Sequence, residues 1–159
     1  MSEQEQPQFG IEKIYLKDLS LEMPHAPQIF IESASPEIEI GVHNGATIVD
    51  AAGGLYEAIL TVTVTAKLKD ITAFLVEVAQ AGIFMIRNVP ATELDAVLGV
   101  LCPNTLLPYA REAVAGVMSR AGLPPVLLQH MNFEAAYHER LRQLQEEQKQ
   151  QAAKTAAPN

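Results

Sequence analysis

The chain has 159 residues, enough for one domain with its own core, and 48% of them are hydrophobic. Its single cysteine, its polar N-terminus MSEQEQPQF and the absence of any run near the ~20 apolar residues that span a bilayer predict a soluble, cytoplasmic protein. The net charge of −8 argues against a nucleic acid partner and favours a basic protein partner.

Alternating apolar and polar residues predict four β-strands in the first half of the chain, because successive side chains of a strand point to opposite faces. In the first strand, KDLSLEMP, an apolar face (Leu19, Leu21, Met23) alternates with a polar one (Asp18, Ser20, Glu22). The preceding run IYL interrupts this alternation, which predicts a β-bulge or a change of covered face.

The next three strands repeat the pattern. PEIEIGVH places its apolar residues (Ile38, Ile40, Val42) opposite polar ones, and YEAILTVTVTAKL has a face of threonines. In TAFLVEVAQAGIFMI, Leu75 and Glu77 point away from the inward-facing residues, so Leu75 is either an ordinary surface leucine or part of a docking patch. Linkers such as HNGATIVDAAGG, where Gly45, Gly53 and Gly54 mark turns, predict an antiparallel meander with one polar face.

Helical spacing of apolar residues begins in the second half. Thr92 is a suitable N-cap for PATELDAVLGVLC, and Pro103 is predicted to end that short helix. A longer helix is predicted from Pro108 to Ala121, with Gly122 ending it. Small side chains dominate its apolar face, so a flat partner, whether a sheet or a helix, can approach closely. This face comprises Ala110, Ala113, Val114, Val117, Met118 and Ala121.

A last helix is predicted to begin near Asn132, which is a good N-cap, and its apolar stripe ends at Leu144. Residues 145–159 are low in hydrophobicity and are predicted to form a flexible tail. With a flexible N-terminus at residues 1–8, the prediction is a single domain over residues 9–144.

No residue pattern points to catalysis or to a bound metal. Cys102 has no histidine within twenty residues to activate it, so we expect it to pack inside the protein. The four histidines are scattered, and AAGG lacks the lysine of a phosphate-binding loop. The pair Arg111–Glu112 is interpreted as surface charge, and it alone supports a small α+β enzyme or ligand-binding protein. The acidic strand face and apolar loops such as HAPQIFI favour a binding protein.

The segment CPNTLLPYARE resembles the C-P-N-x-L-x-P-Y-A-R-E segment of SecB, the bacterial protein-export chaperone family. The similarity continues through IYLKDLSLEMPHAP, VTVTAKL, TAFLVEVAQAGIF, MSRAGLPP and NFEAAY, roughly from Phe9 to Leu144. It implies an α+β subunit with a long helix and a C-terminal helix packed on one face of a four-stranded antiparallel sheet. It also implies a homotetramer, built as a dimer of dimers, that uses neither ATP nor any cofactor and performs no catalysis.

The same resemblance implies a function and its site residues. SecB-like chaperones hold unfolded preproteins and deliver them to the SecA motor ATPase. The docking residues for SecA correspond to Asp18, Glu22, Leu75 and Glu77. An apolar client groove is expected to include Leu21, Met23, Ile40, Val42, Phe133 and Tyr137. The tetramer interface is expected to include Tyr109, Ala110, Ala113, Val114, Val117, Met118 and Ala121. A dedicated client, such as an antitoxin, is the alternative on the same scaffold.

Overall fold

Strands make up the first half of the protein and helices the second half in the computed structural model, which describes residues 5–156. The strands are β1 (Gln8–Glu22), β2 (Glu37–Asp50), β3 (Leu55–Leu68) and β4 (Ile71–Arg87). The helices are α1 (Ala91–Ala96), α2 (Cys102–Arg120) and α3 (Phe133–Thr155). A 3₁₀ turn at Gln28–Phe30 follows β1, and a π-helical turn at Val97–Leu101 joins α1 to α2. The α+β class is therefore confirmed.

The four strands form one antiparallel sheet in the order β1-β4-β3-β2. Strands β2, β3 and β4 follow one another as predicted, but β1 pairs with β4 and not with β2. The predicted simple meander is wrong here, because the connection from Met23 to Pro36 is long enough to cross the sheet. Strands β1 and β2 consequently form opposite edges.

Strand β2 runs beyond its predicted end and reaches Asp50. Gly45, which was predicted to mark a turn, pairs with Ile59 in the β2–β3 ladder. The long neighbouring strand β3 supplies ladder partners throughout, and these outweigh the weak strand preference of glycine. The turn lies at residues 51–54 instead. There Gly54 has a φ of +66°, and a Cβ would come within 2.7 Å of the Ile86 carbonyl oxygen.

The predicted irregularity in β1 is confirmed as a bulge. The register against β4 shifts between Leu16, opposite Gln80, and Asp18, opposite Ala79, so Lys17 is an extra residue. A second shift lies between Ile11 and Lys13. Because of the bulge at Lys17, Leu16 and Asp18 face opposite sides of the sheet although they are two residues apart.

The helical segment after β4 is continuous from Ala91 to Arg120, and Pro103 does not end it as predicted. The helical turn is one residue wider immediately before this proline, because the Cys102 N–H donates to the carbonyl oxygen of Val97, five residues earlier, and not to that of Leu98. The wider turn accommodates a residue that lacks an N–H and crowds the preceding turn. The predicted boundaries at Thr92 and Pro108 are also wrong: α1 begins after Pro90, and Pro108 lies inside α2.

Helix α2 packs across β3 and β4 and closes the core. Leu106, Ala110, Val114 and Met118 recur every four residues and are at most 1% exposed. They belong to one buried cluster with the inward-facing valines of the two central strands, whose predicted alternation is confirmed. The start of α3 joins this cluster through Phe133.

Helix α3 starts as predicted, because the Asn132 side-chain oxygen accepts a hydrogen bond of 2.9 Å from the Ala135 N–H. It continues to Thr155, so residues 145–155 are helical, whereas the sequence predicts an irregular tail. Every side chain in that stretch is exposed, which leaves the helix supported by its Gln, Glu, Lys and Ala content. The predicted flexible ends extend into residues 1–4 and 157–159, which lie outside the described part.

Candidate interaction surfaces

The four predicted docking residues lie together on the outer face of the sheet, the face turned away from α2. Ser20 of β1 is opposite Glu77 of β4, and Glu22 is opposite Leu75, while Asp18 lies one same-face pair further along. Neighbouring strands are about 4.8 Å apart, and same-face residues recur every ~7 Å, so these side chains form one surface. We call Asp18, Glu22, Leu75 and Glu77 the acidic patch.

The acidic patch presents three carboxylates around one aliphatic side chain. Asp18 and Glu22 are exposed, and Leu75 and Glu77 are half-buried. The Thr63 hydroxyl of β3 donates a hydrogen bond of 3.4 Å to Glu77 Oε2, which orients that carboxylate. Within residues 5–156, no salt bridge neutralises these three acids. The patch therefore suits a cationic partner that also supplies an apolar contact.

An apolar groove of about 430 Å³ lies on the other side of the subunit. It is enclosed by the Met23–Pro36 connection, the edge of the sheet and the segment after α2, and we call it the crossover groove. Its walls include Ile29, Phe30, Ile38, Leu123 and Val126. These residues are absent from the predicted groove set, although the loop sequence HAPQIFI, which contains Ile29 and Phe30, signals apolar surface in this region.

A second groove lies between β2, the π-helical turn and α3, with a main part of about 640 Å³ and an adjoining part of about 300 Å³. We call it the α3 groove. Three of the predicted groove residues come together here: Val42 and Tyr137 line both parts, and Phe133 lines the smaller one. Phe133 is 7% exposed, so most of its side chain belongs to the core.

Tyr137 holds α3 against the helical segment. Its ring lies on Gly99 so closely that a Cβ there would be 3.0 Å from the ring. The Tyr137 hydroxyl donates a hydrogen bond of 3.4 Å to Asp95 Oδ2. Partial burial and the Asp95 carboxylate raise the pKa of Tyr137, so the phenol keeps the proton that it donates. Asn44 Nδ2 of β2 donates to the Gly99 carbonyl oxygen at 3.3 Å and closes the floor of the groove.

Ile40 links the two grooves. It lies between Ile38 of the crossover groove and Val42 of the α3 groove on the same face of β2, and all three are 40–43% exposed. The distance along the strand from residue 38 to residue 42 is about 14 Å. The grooves are therefore joined by an exposed apolar strip, which we call the β2 strip.

Leu21 and Met23 do not join these grooves. They lie at the β1 edge, three strands away from β2, and they pack against the subunit's own core. The predicted groove set therefore combines residues from two separate edges of the sheet. Side-chain periodicity gave both edges the same apolar pattern, and only the strand order separates them.

Similarity to known proteins extends over almost the whole chain. A model of the family described as preprotein translocase subunit SecB matches residues 2–144. The protein-export protein SecB of Methylobacillus flagellatus is 54% identical over 154 residues, which cover 97% of this chain and 95% of that relative. The protein-export protein SecB of Chromobacterium violaceum is 60% identical over 139 residues, covering 86% and 91%. This chain belongs to the SecB family.

A solved structure agrees with the SecB fold. The Mycobacterium tuberculosis SecB-like chaperone Rv1957, in complex with a ChAD peptide from the HigA1 antitoxin, superposes with a TM-score of 0.63 at 17% identity. The match covers 78% of this chain and 91% of that one. As a SecB protein, the chain is a protein-export chaperone and not an enzyme. Within residues 5–156, no helix has the length and apolar character needed to cross a membrane.

The α2 helix of this SecB chain corrects part of the predicted tetramer interface. Ala110, Val114 and Met118 are at most 1% exposed, so they face the subunit's own sheet and leave no surface for a second copy. The flat partner predicted for this small-residue face is therefore the sheet of the same subunit. The other predicted interface residues keep partial exposure: Tyr109, Ala113, Val117 and Ala121.

Arg111 has a structural role that the sequence does not reveal. Its guanidinium Nε donates a hydrogen bond of 2.7 Å to the Leu128 carbonyl oxygen, which ties the segment after α2 back onto the helix. In the described part of the chain, no group of three potential metal ligands comes together. The Arg111 side chain of the Arg111–Glu112 pair therefore holds the segment after α2.

Cys102 is expected to be inert in the native protein. Its side chain is fully buried, and burial raises the pKa of the thiol to about 12, so the reactive thiolate is scarce at neutral pH. A disulfide reagent such as Ellman's reagent should titrate no thiol in the native state and one per chain in denaturant. Rapid labelling of the native protein would contradict this placement.

Proposed function

We propose that this SecB chain binds unfolded preproteins along the crossover groove, the β2 strip and the α3 groove, and passes them to the SecA motor through the acidic patch. The observation that carries this proposal is the separation of the two surfaces. The apolar grooves open on the helix side of the subunit, and the acidic patch lies on the outer face of the sheet. A client and the motor can therefore occupy one subunit at the same time.

The shape of the apolar surface favours extended clients. The grooves have room for a few side chains each, and the β2 strip between them is open and narrow. A folded domain hides its apolar side chains, whereas an unfolded chain offers them one after another. Each buried aliphatic or aromatic side chain contributes roughly 1.5–3 kcal/mol before ordering costs. Several such contacts hold a client firmly and still allow its stepwise release.

Electrostatic attraction favours the motor at the acidic patch. Carboxylates around Leu75 attract a basic surface, speed the encounter and fix its orientation. This attraction acts across solvent and should weaken as salt shortens the Debye length to about 8 Å at physiological ionic strength.

We further propose that the chain works in the cytoplasm as a homotetramer, a dimer of dimers. The exposed side of α2 supports this proposal, because Ala115, Gly116 and Ser119 form a strip of small side chains between the charged Glu112 and Arg120. Tyr109 and Val117 would flank that contact. A tetramer would multiply the grooves available to one client and raise their effective concentration.

Suppression of aggregation tests the proposed function. Equimolar tetramer should keep a denatured secretory protein soluble on dilution, without ATP, and native mass spectrometry should detect a tetramer with and without that client. The same protein already folded should not bind and serves as the control. An isolated subunit that leaves aggregation unchanged would refute the proposal.

A dedicated antitoxin client is the less favoured alternative. The likeness to Rv1957 at 17% identity concerns the fold, whereas the relatives at 54% and 60% identity are protein-export proteins. A panel of unrelated unfolded proteins separates the two, since a general export chaperone should bind most of them with similar affinity.

A further inference from the structure

The smaller part of the α3 groove is lined mainly by apolar side chains and contains one arginine. The apolar side chains come from β2, from the segment before α3 and from α3 itself: Val42, Met131, Phe133, Ala136 and Tyr137. Two asparagines and a glycine complete the uncharged lining, and the remaining residue is Arg140. Arg140 also lines the main part of the groove. A client segment that occupies either part therefore lies next to this guanidinium.

No acid on α3 is placed to neutralise Arg140. Side chains three or four positions apart on a helix are neighbours. The four such neighbours of Arg140 are all uncharged: Ala136, Tyr137, Gln143 and Leu144. Arg142 has the opposite arrangement, because its Nη2 lies 2.8 Å from Oε1 of Glu139, three residues earlier. Arg140 thus differs from Arg142 in having no acidic neighbour on its own helix.

The acid across the groove does not pair with Arg140 either. Asp95 lines the main part of the groove but not the smaller part. Its Oδ2 accepts the hydrogen bond from the Tyr137 hydroxyl. Within residues 5–156, no salt bridge joins Arg140 to Asp95 or to any other acid. The exposed guanidinium of Arg140 is therefore available to a carboxylate of a bound client.

The charge of Arg140 is opposite to that of the subunit as a whole. The net charge of −8 repels acidic segments at long range. In the groove, contacts over a few ångströms decide the affinity, and a guanidinium that a client covers without pairing loses hydration. A client carboxylate compensates for that loss and can form two parallel hydrogen bonds with the guanidinium. Arg140 consequently favours an acidic client side chain over a neutral one.

We propose that Arg140 is a specificity-determining residue of the α3 groove, which selects client segments with an acidic side chain two residues from a bulky apolar one. In an extended chain, two such side chains lie on the same face, about 7 Å apart. The apolar side chain fills the smaller part of the groove, and the carboxylate binds Arg140, about one helical turn from Tyr137. This inference rests on the proposed function and names the client chemistry that the α3 groove takes.

Two peptides that differ at one position measure this preference. Both are unstructured and carry alternating apolar side chains, with either glutamate or glutamine two residues from a phenylalanine. Their C-termini are amidated, which removes the other carboxylate that Arg140 could bind. The wild-type protein should bind the glutamate peptide about threefold to tenfold more tightly at low salt, and the difference should shrink as salt rises. Fluorescence anisotropy of labelled peptides gives both affinities.

Substitutions of Arg140 test whether this one side chain causes the preference. Arg140→Gln should bind both peptides with equal affinity, and Arg140→Glu should prefer the glutamine peptide, because like charges repel. Glutamine and glutamate form helices about as readily as arginine, so α3 should stay folded, and retained binding of the glutamine peptide reports this. Arg142→Gln is the matched control. Arg142 lies on the same helix but outside both parts of the groove, so the wild-type preference should remain.

Each outcome decides between the specificity and the proposed function. Equal binding of the two peptides by the wild type, or an undiminished preference in Arg140→Gln, would overturn the role of Arg140 and leave client binding in place. Loss of the preference in Arg142→Gln would point to a general effect of charge and would also overturn it. If the wild type binds neither peptide nor a full-length unfolded client, the proposed function fails and the specificity fails with it.

Discussion

Replacing Glu77 by Lys is expected to weaken SecA binding by about tenfold or more at low salt, because it places a like charge against a basic partner. Glu77 is central in the acidic patch, next to Leu75 and opposite Ser20 in the β1–β4 ladder. Its carboxylate is oriented by the Thr63 hydroxyl, so reversal removes a fixed acceptor as well as a charge. Calorimetric or surface-based titration of SecA onto the tetramer at two ionic strengths measures the effect.

Glu93→Lys is the matched control for Glu77→Lys. Glu93 lies in the first turn of α1, away from the sheet's outer face, and its reversal changes the net charge by the same amount. At physiological ionic strength it should leave SecA affinity within about twofold of the wild type, since charges beyond the Debye length of about 8 Å are largely screened. Equal losses in both variants would show a general charge effect and remove the docking role from the acidic patch. Client binding should be unchanged in both.

Replacing Ile38 by Asp is expected to weaken the binding of unfolded clients by about tenfold to a hundredfold. Ile38 is 40% exposed and joins the crossover groove to the β2 strip. The substitution removes an apolar contact of roughly 1.5–3 kcal/mol and places a carboxylate where the client would strip it of water. Fluorescence titration with a labelled, permanently unfolded client gives the affinity.

Ile48→Asp is the control on the same strand. Ile48 has the same side chain and lies on the same face of β2, about 34 Å further along, with 64% exposure and outside both the crossover groove and the α3 groove. It should bind clients as the wild type does. Both isoleucines are at an exposed edge, so neither change should prevent folding. A similar loss for both variants would indicate that clients are not confined to the grooves, and a loss for neither would place them elsewhere.

Structural elements that depend on residues close together in the chain were predicted correctly. The alternation of β3 and β4, the bulge after IYL and the Asn132 cap depend on residues within one turn or one strand, and all three are present. The errors arose where a distant partner overrides local preference. Gly45 stays in a strand because β3 pairs with it. The error at Pro103 is of a different kind, because the π-helical turn that accommodates it directly precedes it in the chain.

The predicted site residues also divide into those that a linear motif identified and those whose placement required the tertiary structure. The motif resemblance proposes Asp18, Glu22, Leu75 and Glu77 as a docking set, but a simple meander would have placed two strands between the two halves of that set. The groove set mixed Leu21 and Met23 with residues of the opposite edge, and it missed Ile29, Phe30 and Ile38. The internal position of Ala110, Val114 and Met118 also required the packed structure.

By itself, the sequence determined the α+β class, the polar and apolar side of each strand, the absence of a catalytic pattern and the SecB family, because these follow from neighbouring residues and linear motifs. The tertiary structure alone decided which strands are adjacent, which apolar face is core and which is groove, and how one extra residue at Lys17 aims the acids of β1. The physical reason is that periodicity assigns each side chain to a face of its own element. Only long-range pairing determines what that face meets.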